Sequence, residues 1–312
     1  MIRSSAIRFF SAAVAAAALT GCFTGIESTP RITAGDVRRQ AAATPTPEML
    51  FLASVGPQPP AAWTSGKRFR VADSRIERLF AYTDGRADNL EGATLSFEAF
   101  EDAPSLTGEG ATYVALTTDR ADTLRYRIDS PRQNVLERER LEIPFTVEML
   151  PVEQADSLMR SHIYYISTPL WRRTDGRTRP GKRHIPVRIL SVQPGTDGIY
   201  PAAVIFTPEQ APADTAMVMM SLSGDKAPRS FATIFSFTNP RDRYPRITDD
   251  VWELIVNSRV ETGMTRDECR LALGSPTRTE QIPTRAGMIE RWSYGEGIYL
   301  VFEDGMLSSF RL

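Results

Sequence analysis

The sequence predicts an α+β fold in which a β-rich body, barrel- or sandwich-like, precedes a small helix-helix-three-stranded antiparallel sheet domain. Three observations carry that prediction. Stretches of alternating apolar and polar residues recur between Trp63 and Tyr244. Turn dipeptides such as Asp84-Gly85, Pro194-Gly195 and Asp197-Gly198 separate them. Beyond residue 245 the period changes, and two helix-start signals are followed by three strand-like runs.

A leader, residues 1–21, precedes any folded element. Arg3 and Arg8 form a positive region, Phe9 to Leu19 form a short apolar run, and small residues lie just before Cys22, the pattern of an export signal. A spanning helix needs roughly 20 apolar residues, so this run is too short to be one. Leu19-Thr20-Gly21-Cys22 resembles the lipobox of bacterial lipoproteins. The resemblance implies a diacylglycerol on the Cys22 thiol, cleavage before Cys22, and an N-acyl chain on the new amino terminus. The bland alternative is an ordinary secretory leader with a chance cysteine. At about 0.8 kcal/mol per buried methylene, two or three chains make a stable anchor. No cofactor beyond that covalent lipid is expected. Phe23, where an aspartate signals inner-membrane retention in enteric bacteria, favours the outer membrane. The lack of an acidic run after Cys22 favours its periplasmic face.

Removing the leader removes two arginines and no acid, which takes the formal charge from -1 to -3. That balance argues against a nucleic-acid partner, whose footprint is a basic domain. With Cys22 modified only Cys269 remains, so no intramolecular disulfide is available and stability must come from burial.

Residues 22–60 read as a lipidated tether rich in Thr, Ala and Pro, broken by Thr44-Pro45-Thr46-Pro47 and Pro57-Gln58-Pro59-Pro60. As a coil it averages about 35 Å end to end. Two patches interrupt it, Arg31 to Val37 and Met49-Leu50-Phe51-Leu52. The second is too apolar for water and is expected to dock on the body or pair at a sheet edge.

Residues 61–245 form the β-rich body, as one large unit or two subdomains. Strands are expected over Gly66 to Val71, Ala93 to Phe100, Ile185 to Leu190 and Ala203 to Phe206, with a helix over Val152 to Arg160. Gly66-Lys67-Arg68-Phe69-Arg70-Val71 and Gly181-Lys182-Arg183-His184-Ile185-Pro186-Val187 look alike and suggest a duplication.

Residues 246–312 form the last module. A first helix starts at Thr248-Asp249-Asp250 and buries Val251, Trp252, Leu254 and Ile255. Thr265-Arg266-Asp267-Glu268 matches a capping box, Cys269, Ala272 and Leu273 continue the buried stripe, Gly274 supplies a left-handed stop and Pro276 prevents continuation. Residues 289–294, 298–303 and 306–312 then form a meander, with Trp292 and Tyr294 on one face.

Gly263-Met264-Thr265, the spacing through Glu268 to Cys269, Leu273-Gly274-Ser275-Pro276, Trp292-Ser293-Tyr294 and a final strand pair around Phe302-Glu303-Asp304-Gly305 resemble the BamE-like (SmpA/OmlA) family of small outer-membrane lipoprotein domains. The resemblance implies a two-helix, three-stranded layer. It also implies a binding platform, since the best-known member serves the machinery that inserts β-barrel proteins, and the fold type recurs in proteinaceous β-lactamase inhibitors. Cys269 stands where an aliphatic residue is common, and a long β-rich body precedes the module. The whole chain resembles large Bacteroidetes lipoproteins, a likeness that brings no activity with it.

The chemistry-bearing residues are sparse. Cys269 reads as a small buried hydrophobe rather than a redox thiol. His162 and His184 have no metal-spaced neighbours, so no metal site is expected. Gly108-Glu109-Gly110 and Gly295-Glu296-Gly297 read as loop glycines, and no nucleophile elbow or metalloprotease motif is present. Arg172, Arg173, Arg177, Arg179, Lys182 and Arg183 stand against Asp175 alone. They could touch lipid phosphates or an acidic partner, or simply form a solvated hairpin tip. The functional expectation is a non-catalytic, lipid-anchored envelope protein that binds another envelope protein as a scaffold. The alternatives are an envelope hydrolase or carbohydrate-active enzyme with a carboxylate pair in the body, and a spacer or inhibitor.

Overall fold

The computed structural model describes residues 44–312, apart from 85–87, 105–107, 109, 197–199, 223–226 and 285–286. The leader, Cys22, the Arg31 to Val37 patch, Gly85, Glu109 and the Asp197-Gly198 turn lie outside the described residues. Residues Pro45–Leu312 form one compact unit of α+β architecture with three antiparallel sheets, 37% strand against 22% helix. Among the described residues, no helix is long and apolar enough to cross a membrane.

The first sheet runs β2 (Phe80–Asp84), β5 (Thr123–Ile128), β4 (Ala111–Thr117), β3 (Thr94–Ala103), β1 (Arg68–Val71), β6 (Thr146–Glu148). Period-two alternation places Phe69 and Val71 inside and Arg68 and Arg70 outside on β1. The inner residues join Trp63, Leu95, Phe97, Phe100, Val114, Leu116 and Leu124 in a core of their own.

The second sheet runs β13 (Phe235–Ser236), β7 (Ile163–Ile166), β10 (Ile185–Pro194), β11 (Ala202–Pro208), β12 (Ala216–Met220), β8 (Leu170–Arg172), β9 (Thr178–Pro180). The two look-alike stretches thus enter different sheets, each as an interior strand. Gly181 has no alternative, because a Cβ there would lie 2.3 Å from the Trp171 ring. Four helices precede the last module: α1 (Pro47–Phe51), α2 (Arg132–Leu136), whose Val135 joins the core of the first sheet, α3 (Met149–Met159) and α4 (Phe231–Ile234). Val152, Ala155 and Met159 of α3 are buried, so the expected helix is present and starts one turn earlier. Apolar α1 docks as its composition demands. Phe51 packs on Phe231 at 4.7 Å and on Phe237 at 5.2 Å, and Leu52 is buried.

The last module holds α5 (Asp249–Val256), α6 (Arg266–Leu273) and a sheet ordered β14 (Arg278–Thr284), β15 (Gly287–Gly295), β16 (Ile298–Glu303), β17 (Met306–Arg311). Both expected caps are made. Thr248 Oγ1 accepts from the Val251 amide, and Thr265 and Glu268 form a reciprocal capping box. Two expectations need correction. The sheet has four strands rather than three, because β14 pairs with β15 from Arg278↔Ser293 to Thr284↔Gly287. Polar residues and Pro283 hide that edge strand from a periodicity reading. Gly274 does carry a positive φ of 87°, but with ψ at -169° it is extended rather than left-handed helical.

The module's core continues into the second sheet. One apolar cluster takes in Leu52, Met159, Val187 and Phe206, then Trp252, Ile255, Cys269 and Ala272 of the helices, then Trp292, Leu300 and Phe302. Each fully buried large side chain contributes about 1.5–3 kcal/mol, so the second sheet and the last module are held by a common store of burial energy.

Candidate binding sites

The motif residues of the last module are placed together and are architectural. Gly263 donates to Leu307 O at 2.8 Å and Met264 O accepts from the Leu307 amide at 2.8 Å, tying the start of α6 to β17. Cys269 is fully buried, and burial beside Glu268 pushes its thiol up to about 12, far from a reactive thiolate. Tyr294 donates to Gly274 O at 3.1 Å, next to Pro276 and beyond Leu273. Trp292 donates to Glu290 Oε1 at 2.6 Å.

The opposite face of this sheet is partly open to solvent, with Ile282, Arg291 and Met306 exposed and Ile289, Tyr299 and Val301 half-buried. Registers Ile282↔Ile289, Arg291↔Val301 and Ser293↔Tyr299 align a second set of side chains there. Ile282 and Met306 are 44% exposed, and Arg291 lies over the Tyr299 ring at 4.7 Å. Apolar and charged groups side by side on a rigid sheet make a surface suited to a protein partner.

The basic residues of the segment have different surroundings. Arg179 forms two 2.6 Å bonds to Asp214, which holds that carboxyl below its ordinary range. Arg183 reaches Leu271 O and Leu273 O at 3.4 Å, and His184 Nε2 approaches Leu271 O at 3.2 Å. A carbonyl only accepts, so Nε2 carries the imidazole proton. The two side chains therefore cap the carbonyl end of α6 from another sheet, where a positive charge is favourable. Arg173, Arg177 and Lys182 remain exposed, and Arg172 is half-buried on β8. Burial lowers the proton affinity of His184, and Arg183 beside it acts the same way against the Leu271 bond.

His184 also borders a crevice of about 300 Å³ with Glu48, Ser167, Arg243 and Tyr244. An acid–base enzyme would want a carboxyl held protonated there. Burial raises Glu48, but hydrogen bonds from its own amide, the Phe237 amide and the Thr46 hydroxyl, with the nearby Arg243 charge, together outweigh it and hold the carboxyl below its ordinary value. His162 sits apart, with Nδ1 3.1 Å from Arg160 O. Among the described residues no group of three metal-ligating side chains forms.

No family model, curated protein or solved structure matches this chain. Site assignment therefore rests on geometry, and the geometry adds one place that the sequence reading passed over. Lys67, with only 4% of its side chain exposed, pairs with Glu148, whose side chain is 11% exposed. Lys67 Nζ also donates to Gln58 Oε1 at 3.0 Å and lies 5.3 Å from the Trp63 ring centroid. Glu148 stands opposite Phe69 in register. The sequence did hold a signal. Lys67, Phe69 and Val71 share one parity, so the alternation that puts two arginines outside puts the lysine inside. A buried ion pair is a poor source of stability and marks a place worth examining for function.

A cavity of about 110 Å³ adjoins Glu148 at the seam between the first and second sheets. Phe69, Leu141, Ile143, Phe145 and Val147 are among its walls, with Arg140 and Glu142 paired at 2.8 Å. Phe145 adopts φ 63°, a conformation that costs a bulky residue about 1–3 kcal/mol. The Ala72 amide donates to its carbonyl at 2.8 Å, and the Arg75 guanidinium lies 4.5 Å from its ring, which together hold it there.

Proposed function

We propose that this chain is a lipid-anchored bacterial envelope protein that acts as a non-catalytic protein-binding scaffold, acylated at Cys22 and held at the periplasmic face of the outer membrane. The anchor rests on Leu19-Thr20-Gly21-Cys22 behind its short apolar run. The observation that carries the binding role is the outer face of the last sheet, where the exposed Ile282 and Met306 and the half-buried Tyr299 and Val301 lie beside Arg291. The likeness of the module's motifs to the BamE-like family supports the same reading and extends it to a role in outer-membrane assembly or maintenance. The enzymatic alternative draws no support from the acids whose protonation is displaced, since Glu48, Asp73 and Asp214 all move downward.

Two experiments test the two halves separately. Metabolic labelling with palmitate should mark the parent protein and leave Cys22→Ala unlabelled; an unlabelled parent removes the anchor. A photo-crosslinking residue at Val301 or Ile282 should capture a discrete envelope protein in intact cells, while one at Arg120 should not. Equal recovery from all three positions removes the assignment of that face.

A further inference from the structure

We propose that the β8–β9 hairpin, Leu170 to Pro180 with Lys182 behind it, is a membrane-facing surface that rests on the anionic headgroups of the bilayer holding the acyl anchor. This deepens the reading of the chain as an acylated envelope protein and rests on it. Pairing sorts the hairpin into two faces. Leu170↔Pro180, Trp171↔Arg179 and Arg172↔Thr178 stand opposite one another, and Trp171 is 2% exposed, so Trp171 and Arg179 share the inner face and the other two pairs the outer one. Leu170 is 59% exposed there. Charge is divided between the faces as well. Arg179 is engaged by Asp214 and Arg183 by the carbonyls of α6. Among the described residues, Arg172, Arg173 and Lys182 have no side-chain partner, and Arg177 meets Asp175 at 3.9 Å. Four cations against one acid leave +3 here, on a chain whose formal charge without the leader is -3. An anionic surface that repels the body as a whole therefore attracts this end.

Position selects a bilayer over an acidic protein. Thr46, the cap of α1 at the start of the compact unit, lines one crevice with Ser167 and His184. Ser167 lies three residues before Leu170 and His184 two after Lys182, so both roots of the hairpin are within about 11 Å of that crevice at about 3.5 Å per residue. The residues that join an acylated Cys22 to the body thus enter it beside this hairpin. An exposed leucine among arginines suits the headgroup boundary, where the apolar group inserts and the guanidinium groups keep to the phosphates.

Vesicles test the surface without the anchor, which keeps the outcome apart from palmitate labelling. Residues 23–312, which contain the whole compact unit, should cosediment with vesicles of about one-third phosphatidylglycerol in phosphatidylcholine and ignore pure phosphatidylcholine, and about 0.5 M salt should release them. Each basic group at an anionic surface is worth about fivefold in partition, so Arg172, Arg173, Arg177 and Lys182 changed together to Gln should lower binding about a hundredfold. Arg120, Arg132, Arg138 and Arg278, also exposed, should lower it about fivefold at most when changed together. Arg173→Gln with Arg177→Gln, both outside the strands, should lose about tenfold, which covers the case in which replacing Arg172 disturbs β8. Leu170→Ser should weaken binding severalfold with every charge in place. Because Cys269 is buried, a polarity-sensitive dye can be placed on Thr174→Cys alone, and it should shift to the blue on anionic vesicles while one on Asp119→Cys does not. Equal losses from the two sets of four, or equal dye shifts at the two sites, overturn the surface. Soluble polyglutamate that binds as tightly as vesicles at equal charge concentration overturns the bilayer as its occupant and assigns the hairpin to an acidic protein.

Discussion

Replacing Arg183 measures how far the basic segment is architecture rather than a contact surface. Its guanidinium spans Leu271 O and Leu273 O at 3.4 Å, and its amide donates to Val256 O at 2.9 Å, which the substitution leaves in place. A cation in a partly buried position at a helix end is worth up to about 2 kcal/mol. Hydrogen bonds from a charged donor add about 1.5–3 kcal/mol at good geometry, and 3.4 Å is long, so the lower figure applies. Burial works the other way, because it lowers the proton affinity of Arg183 and so disfavours the charged form. The balance for Arg183→Ala is a loss of about 1.5–3 kcal/mol, while Arg183→Lys restores less than half because a point charge cannot fork between two carbonyls. Urea unfolding followed through Trp292 fluorescence gives the loss, and hydrogen exchange should locate it at the carbonyl end of α6. A change within 0.5 kcal/mol, on the order of that for an ordinary surface substitution, would refute the clamp.

Three further outcomes follow from the same packing. Leu52→Ala should cost about 2–5 kcal/mol and open residues 44–58 to protease, since this side chain is 8% exposed within the shared core. Thr265→Ala should lose about 1 kcal/mol and Thr265→Ser almost none, as judged by thermal unfolding, because only the hydroxyl makes the cap. For His184 the folded proton affinity lies below the ordinary value of 6.5, so the unfolded chain binds more protons on the acid side. Stability from this residue is therefore full above about pH 6.5 and declines as pH falls below it, levelling off once the folded imidazole also protonates. His184→Gln should flatten that slope between pH 7 and 5 in urea titrations.

Local signals in the chain were legible where one rule acts alone. The Thr248 and Thr265 caps, the strands β15 to β17, the docking of Met49 to Leu52 and the interior strands β1, β3, β10 and β11 each follow from spacing or composition over a few residues. β14 was not legible, because Arg278 to Gln281 are polar and Pro283 lacks an amide donor, and its pairing is fixed by β15 rather than by its own pattern. The fates of Arg179 and Arg183 were equally hidden, since their partners Asp214 and Leu271 lie 35 and 88 residues away. Lys67 is the middle case. Its parity was readable, but a lysine inside a core is acceptable only once Glu148 and Gln58 are known to meet it.

The seam cavity joins parts that otherwise fold around separate cores. Phe69 belongs to the core of the first sheet and Val147 to the core shared by the second sheet and the last module, yet both wall the same space. Glu148 ends β6 and Met149 begins α3, so the ion pair stands at the residue where the chain passes from one core to the other.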